Sequence, residues 1–171
     1  MAVEFALVIL PFMTLLFAIF ELGLVFFVSV VLDGATTRAA RQIRTGEFQS
    51  AAGTAAAFKT SVCNEMLWLK TGCSSNAKVD VRTYTLFSQV KTAPPPTTGP
   101  PENRQFNSAN SCFQPGGPTN IVLVRTFYTW TLLTPMLDDS LVNLGSNKRL
   151  LSSTVIFRNE PFGATTAAVS C

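Results

Sequence analysis

From Met1 to Leu32 the chain is apolar almost without interruption, and its only charges there are Glu4 and Glu21. Phe5 to Phe20 is rich in Leu, Ile, Phe and Val. Leu22 to Leu32 then carries the run past the roughly 20 residues that cross a bilayer as a helix. A helix on the surface of a soluble domain keeps a polar face, and this one has none. Residues 1–32 are therefore expected to form a transmembrane or filament-core helix, with 33–171 as a globular domain. A carboxylate in hydrocarbon is costly unless partnered, so Glu4 and Glu21 need a reason to be there. With three residues before it, Glu4 can also lie in the headgroup layer. Pro11 removes one helical hydrogen bond and predicts a bend.

Beyond this helix about 140 residues remain, enough for one domain with a modest core. The net charge of +3 is small and the basic residues are scattered, which argues against a nucleic-acid surface. Arg38, Arg41 and Arg44 are the exception. They follow the apolar run and are expected to face lipid headgroups at the membrane edge, with a specific anionic lipid or partner site as the alternative. Histidine is absent, which removes the usual general base and the usual zinc ligand. There is no glycine-rich phosphate loop, and the nearest acidic pair, Asp138-Asp139, reads as a turn or a helix cap. No enzyme, metal or cofactor is expected. Cys63, Cys73, Cys112 and Cys171 are too far apart for a compact metal site and read as two disulfides in an oxidising compartment. Of three possible pairings, ease of closing a short loop favours Cys63 with Cys73, leaving Cys112 with Cys171.

Helix formers continue from Ala35 to Gly46 and from Ala51 to Leu69, with small or apolar residues at helical spacing. One long helix or two collinear ones are expected, softened near Gly34, Gly46 and Gly53, the second half amphipathic and packed on a sheet. Val79, Val81, Thr83, Thr85 and Phe87 alternate with Asp80 and Arg82 as in a strand. Lys91 to Pro118 holds seven prolines and no periodicity, and reads as an unusually long exposed loop. Ile121 to Leu133 is apolar on both faces and should be a central strand, with Tyr128 and Trp130 in the core rather than on a binding platform. Asp138 to Lys148 predicts a short helix or turn, and Leu150 to Arg158 a last strand. The expected class is α+β: a long apolar helix continuing into an amphipathic helix packed on an antiparallel sheet of three or four strands.

At two places the residues resemble a known family. Ala2-Val3-Glu4-Phe5-Ala6-Leu7 through Pro11, followed by Phe20-Glu21-Leu22-Gly23, is similar to the N-terminal signature of TadE-like minor pilins, the pseudopilins of tight-adherence (type IVc-like) pili. Phe157-Arg158-Asn159-Glu160-Pro161-Phe162 is similar to the closing motif of the same proteins. The resemblance implies a basic leader cut by a prepilin peptidase, so that the sequence is read as a mature form. It implies that Glu4 pairs with the N-terminal amine of a neighbouring subunit, although Glu4 stands one place short of the family's spacing. Glu21 matches a second family acid and is expected in helix packing; Phe5 and Pro11 complete the expected assembly residues.

The implied protein sits in the inner membrane by one helix, with its domain in the periplasm, and then passes into a cell-surface pilus. The positive-inside rule applied to Arg38, Arg41 and Arg44 alone would place the domain in the cytoplasm; a lost basic leader and four cysteines favour the outside. Its expected partners are other minor pilins or the major pilin. Major pilins of this class are little more than the helix, so the extra domain points to a minor or tip subunit. The alternative is a membrane-anchored or tip-displayed adhesin that binds through the 91–118 loop.

Overall fold

The computed structural model describes residues 2–100, 103–134, 141–163, 169 and 171. Helix α1 runs unbroken from Ala2 to Arg44, 43 residues or about 65 Å. It continues through Pro11 and through Asp33-Gly34. The expected softening at Gly34 is absent because the sheet grips the helix on both sides of it, with Leu32, Ala35 and Thr36 all buried. Asp33 does not compete with the backbone either, since its carboxylate accepts a hydrogen bond from Ser153 Oγ at 2.7 Å. The hydroxyls of Thr14, Ser29 and Thr36 bond back to carbonyls four residues earlier, which removes their cost in an apolar setting.

The helix stops at Gly46, whose φ of 82° is open to glycine at little cost. A Cβ there would also strike the Phe162 ring. Short helix α2 (Glu47–Ser50) follows, and Thr54 caps α3 (Ala55–Asn64) by accepting from Ala57 N–H. Here the collinear expectation fails. Arg38 reaches Glu65 at 3.0 Å, whereas 27 residues of continuous helix would hold them about 40 Å apart. The chain reverses at Gly46, and α3 lies back along α1. Phe48, Phe58 and Phe113 meet edge-on or tilted and fill the corner that the reversal creates.

After a 3-10 turn at Leu67–Leu69 and α4 (Lys70–Asn76), the chain enters strand β1 (Ala77–Tyr84). Thr85 and Phe87 lie outside it. Strands β2 (Thr97–Thr98) and β3 (Gln105–Phe106) form a small hairpin, and β4 (Ile121–Thr131) and β5 (Lys148–Arg158) complete the main sheet. The main sheet is antiparallel, in the order β1-β4-β5, so β4 is central as expected. Val81 lies opposite Val124, which lies opposite Val155. This register turns Val122, Val124, Tyr128 and Leu132 toward α1, where they share one core with Val28, Leu32 and Ile43. Tyr128 is buried there, and burial pushes its phenol above the ordinary value, against a smaller lowering by the hydrogen bond with Asn76.

The architecture is α+β, as the sequence predicted. The cysteines are paired Cys63–Cys73 and Cys112–Cys171, the pairing that loop closure favoured. Segment 91–118 is not a free loop. Residues 112–114 pair with the open edge of β1 through Val81 N–H to Cys112 O and Gln114 N–H to Val81 O, both 2.8 Å. Phe113 enters the core. Asp138-Asp139 lie outside the described residues, and the neighbouring 142–147 are turn and coil apart from an isolated bridge between Leu144 and Lys148.

Candidate functional site

Helix α1 has two halves with different surroundings. From Phe5 to Phe20 most of its large side chains are exposed, Phe5, Leu7, Val8, Leu10 and Leu15 each by 60% or more. From Glu21 onward a stripe stepping by three and four residues is covered: Glu21, Val25, Val28, Leu32, Ala35, Ala39 and Ile43. Alanine at positions 35, 39 and 40 lets the sheet come close. The change from bare to covered falls at Glu21.

Glu21 is 2% exposed. Its carboxylate accepts from Leu133 N–H at 3.0 Å, Thr134 N–H at 3.1 Å, Thr134 Oγ1 at 3.2 Å and Trp130 Nε1 at 3.4 Å. Strand β4 ends at Thr131, and the backbone beyond it turns so that two successive amides converge on one oxygen. All of these donors are neutral. They replace the water that a carboxylate loses on burial, and they tie the end of the central strand to the middle of the helix. The sequence marks Glu21 as unusual but gives no sign of a partner more than a hundred residues away.

The upper end of α1 is fixed by the closing motif. Glu160 N–H bonds to Arg44 O at 3.0 Å, capping the helix, and the Glu160 carboxylate lies 3.3 Å from Arg44 Nε. Asn159 is buried and donates to Pro115 O at 3.0 Å and Gly117 O at 2.9 Å. Gln49, also buried, donates to Ile43 O at 2.9 Å and Pro115 O at 3.2 Å. Phe162 covers Gly46. The motif 157–162 thus closes α1 onto the Pro115–Gly117 turn.

Arg38 and Arg44 have partners within the chain, Glu65 and Glu160, and Arg41 is exposed. Both pairs are exposed and contribute little stability. Glu4 lies in the first turn of α1, with Phe5 and Pro11 exposed on the same bare half.

Sequence reasoning missed Asp80. It is 1% exposed on the sheet face away from α1 and accepts from Arg125 Nη2 at 2.6 Å, Arg82 Nε at 3.0 Å and Cys112 N–H at 2.8 Å. The same arginines continue outward, Arg125 to Pro94 O at 2.9 Å and Arg82 to Asn110 O. Phe106 packs on Phe127 at 5.4 Å. One carboxylate therefore pins the proline-rich segment at both ends. Among the described residues no group of three or more His, Cys, Asp or Glu is placed to hold a metal ion.

Compared with known proteins, residues 1–41 match the family model described as TadE-like protein. The match covers nearly all of α1 and bears out the resemblance drawn from its residues; the sheet lies outside it. No curated protein and no solved structure matches the chain. Helix α1 is the one described helix long and apolar enough to cross a membrane.

Proposed function

We propose that this chain is a minor pilin, or pseudopilin, contributing to the initiation, assembly or tip of a tight-adherence type IV pilus. The observation that carries this reading is the bare half of α1, an apolar rod from Phe5 to Phe20 projecting from a domain that covers one stripe of the rest of the helix. Such a rod is solvated by lipid while the subunit waits in the inner membrane. In a filament the same surface packs against the α1 helices of other minor pilins or of the major pilin. Moving from lipid to helix brings no hydrophobic gain, so close packing and a few polar contacts must set the register. Glu4 supplies one, pairing with a neighbour's N-terminal amine once a prepilin peptidase has removed the leader. Glu21 is satisfied by its own domain and acts by holding that domain at a fixed height on the rod.

The paired cysteines support a periplasmic domain, since disulfides persist in oxidising compartments. On this reading Arg38, Arg41 and Arg44 lie well above the bilayer, because Arg38 is 17 residues past Glu21, about 25 Å along the helix. The pinning of segment 91–118 by Asp80 does not favour a freely displayed adhesin loop.

The test is replacement of Glu4 by Gln and by Ala in the native host. Membrane levels of the subunit should be unchanged, while its amount in sheared pili should fall severalfold. Normal incorporation of both variants would refute the ion-pair role.

A further inference from the structure

Where the domain meets the bare half of α1, two large apolar residues face outward. Leu67 is 65% exposed and Trp68 56% exposed, and the Trp68 ring stacks on Phe27 of α1 at 6.3 Å and 13°. They are held there. Met66 and Leu69 on either side are buried, and the Cys63–Cys73 disulfide closes the segment. Leu67 has φ 50°, a left-handed conformation unfavourable for a leucine. A domain surrounded by water gains nothing from fixing a Leu-Trp pair outward in this way.

The height of the pair follows from the helix. A hydrocarbon core of about 30 Å takes about 20 helical residues, so a span that leaves Glu4 at one edge ends near Leu24. Phe27 stands about 4.5 Å beyond that edge, inside a headgroup layer of roughly 5–7 Å. Trp68 stacks at that height, where tryptophan is preferred because its ring is apolar and its N–H is wet. Leu133, 68% exposed, lies with Phe17, Phe20, Glu21 and Leu24 along a groove of about 400 Å³ at the same end of the domain. Lys70, exposed, follows the pair directly in the chain.

We propose that Leu67 and Trp68, stacked on Phe27, form a foot that inserts into the headgroup–acyl boundary of the phospholipid bilayer crossed by α1. Lys70 then faces lipid phosphates, and the helix and the domain packed on it sit in the membrane together at a fixed tilt. This proposal rests on α1 being a membrane span.

The full chain would be placed in vesicles of phosphatidylcholine and phosphatidylglycerol carrying bromines at a shallow or a deep acyl position. The chain has two tryptophans, so comparison with Trp68→Phe isolates the signal of Trp68. The foot predicts that at least half of the Trp68 emission is quenched, and more by shallow bromines than by deep ones. A Leu15→Trp variant in the Trp68→Phe background tests the span separately, and its added tryptophan should be quenched most by deep bromines. Deep quenching at position 15 with Trp68 unquenched overturns the foot and leaves the span standing. No quenching at position 15 overturns the span, and the foot with it.

Discussion

Replacing Asp80 tests whether a buried charge holds the proline-rich segment to the sheet. Asp80 is 1% exposed, and its arginine partners are 12% (Arg125) and 21% (Arg82) exposed at the side chain. Removing one partner from a buried pair typically costs about 3–5 kcal/mol, because the remaining charge keeps its desolvation without compensation. Asp80→Ala leaves two guanidiniums in that state and also orphans the Cys112 amide, which adds about 1–3 kcal/mol where water cannot reach it. These costs overlap, so a loss of about 4 kcal/mol is expected. That is a large share of the 5–15 kcal/mol that keeps a typical domain folded. Asp80→Asn keeps an acceptor for Cys112 and loses only the charge, so about 2–3 kcal/mol is expected from the same partial loss of a buried pair. The assay is thermal unfolding of the full chain in detergent micelles, followed by near-ultraviolet circular dichroism. For a chain of this size 4 kcal/mol corresponds to a fall in Tm of roughly 10 °C. A loss under 1 kcal/mol for Asp80→Ala, or equal losses for the two variants, would refute the reasoning.

Other predictions concern the two ends of α1 and the tail. Glu21→Leu leaves the amides of Leu133 and Thr134 and the Trp130 indole without their acceptor, and should cost about 3 kcal/mol. The 133–134 amides should exchange with solvent faster, while Glu21→Gln, which keeps one acceptor oxygen, should lose about half as much; unchanged exchange in Glu21→Leu would contradict the docking role. Cys171→Ser opens a loop with a sequence separation of 59, for which chain entropy gives about 4 kcal/mol. Denaturant titration of this variant without reductant should show a lower midpoint, and an unaltered midpoint would mean that the tail adds nothing to the fold.

Much of the architecture was legible because it depends on local patterning. The unbroken apolar run made α1 a membrane-type helix, and period-two alternation marked β1, β4 and β5. Apolar residues on both faces of 121–133 required a central strand. Cysteine spacing narrowed the pairing because a ten-residue loop closes easily. What could not be read were contacts between distant segments. Alternation put Asp80 on the second face of β1, where a polar residue ordinarily meets water. Only the fold shows that the polar, proline-rich segment lies over it and that Arg125 arrives from the neighbouring strand. The reversal at Gly46 was hidden because helix formers resume after it. A left-handed glycine capped by Phe162, more than a hundred residues on, turns the chain back. Glu21 was conspicuous as an acid in an apolar run, but its donors lie at the far end of β4, where three of the four contacts use the backbone or side chain of ordinary loop residues.

The central claim is that the bare half of α1 packs against other pilin subunits in a filament. A photo-crosslinking residue at Phe12 or Leu15, both exposed on that half, tests it in cells that assemble pili. After irradiation, sheared pili should contain this chain in covalent adducts with other pilins, and Glu4→Gln should reduce those adducts severalfold. If pili form normally while the chain stays in the membrane fraction with no protein adduct at either position, the chain is a membrane-anchored domain and not a pilus subunit.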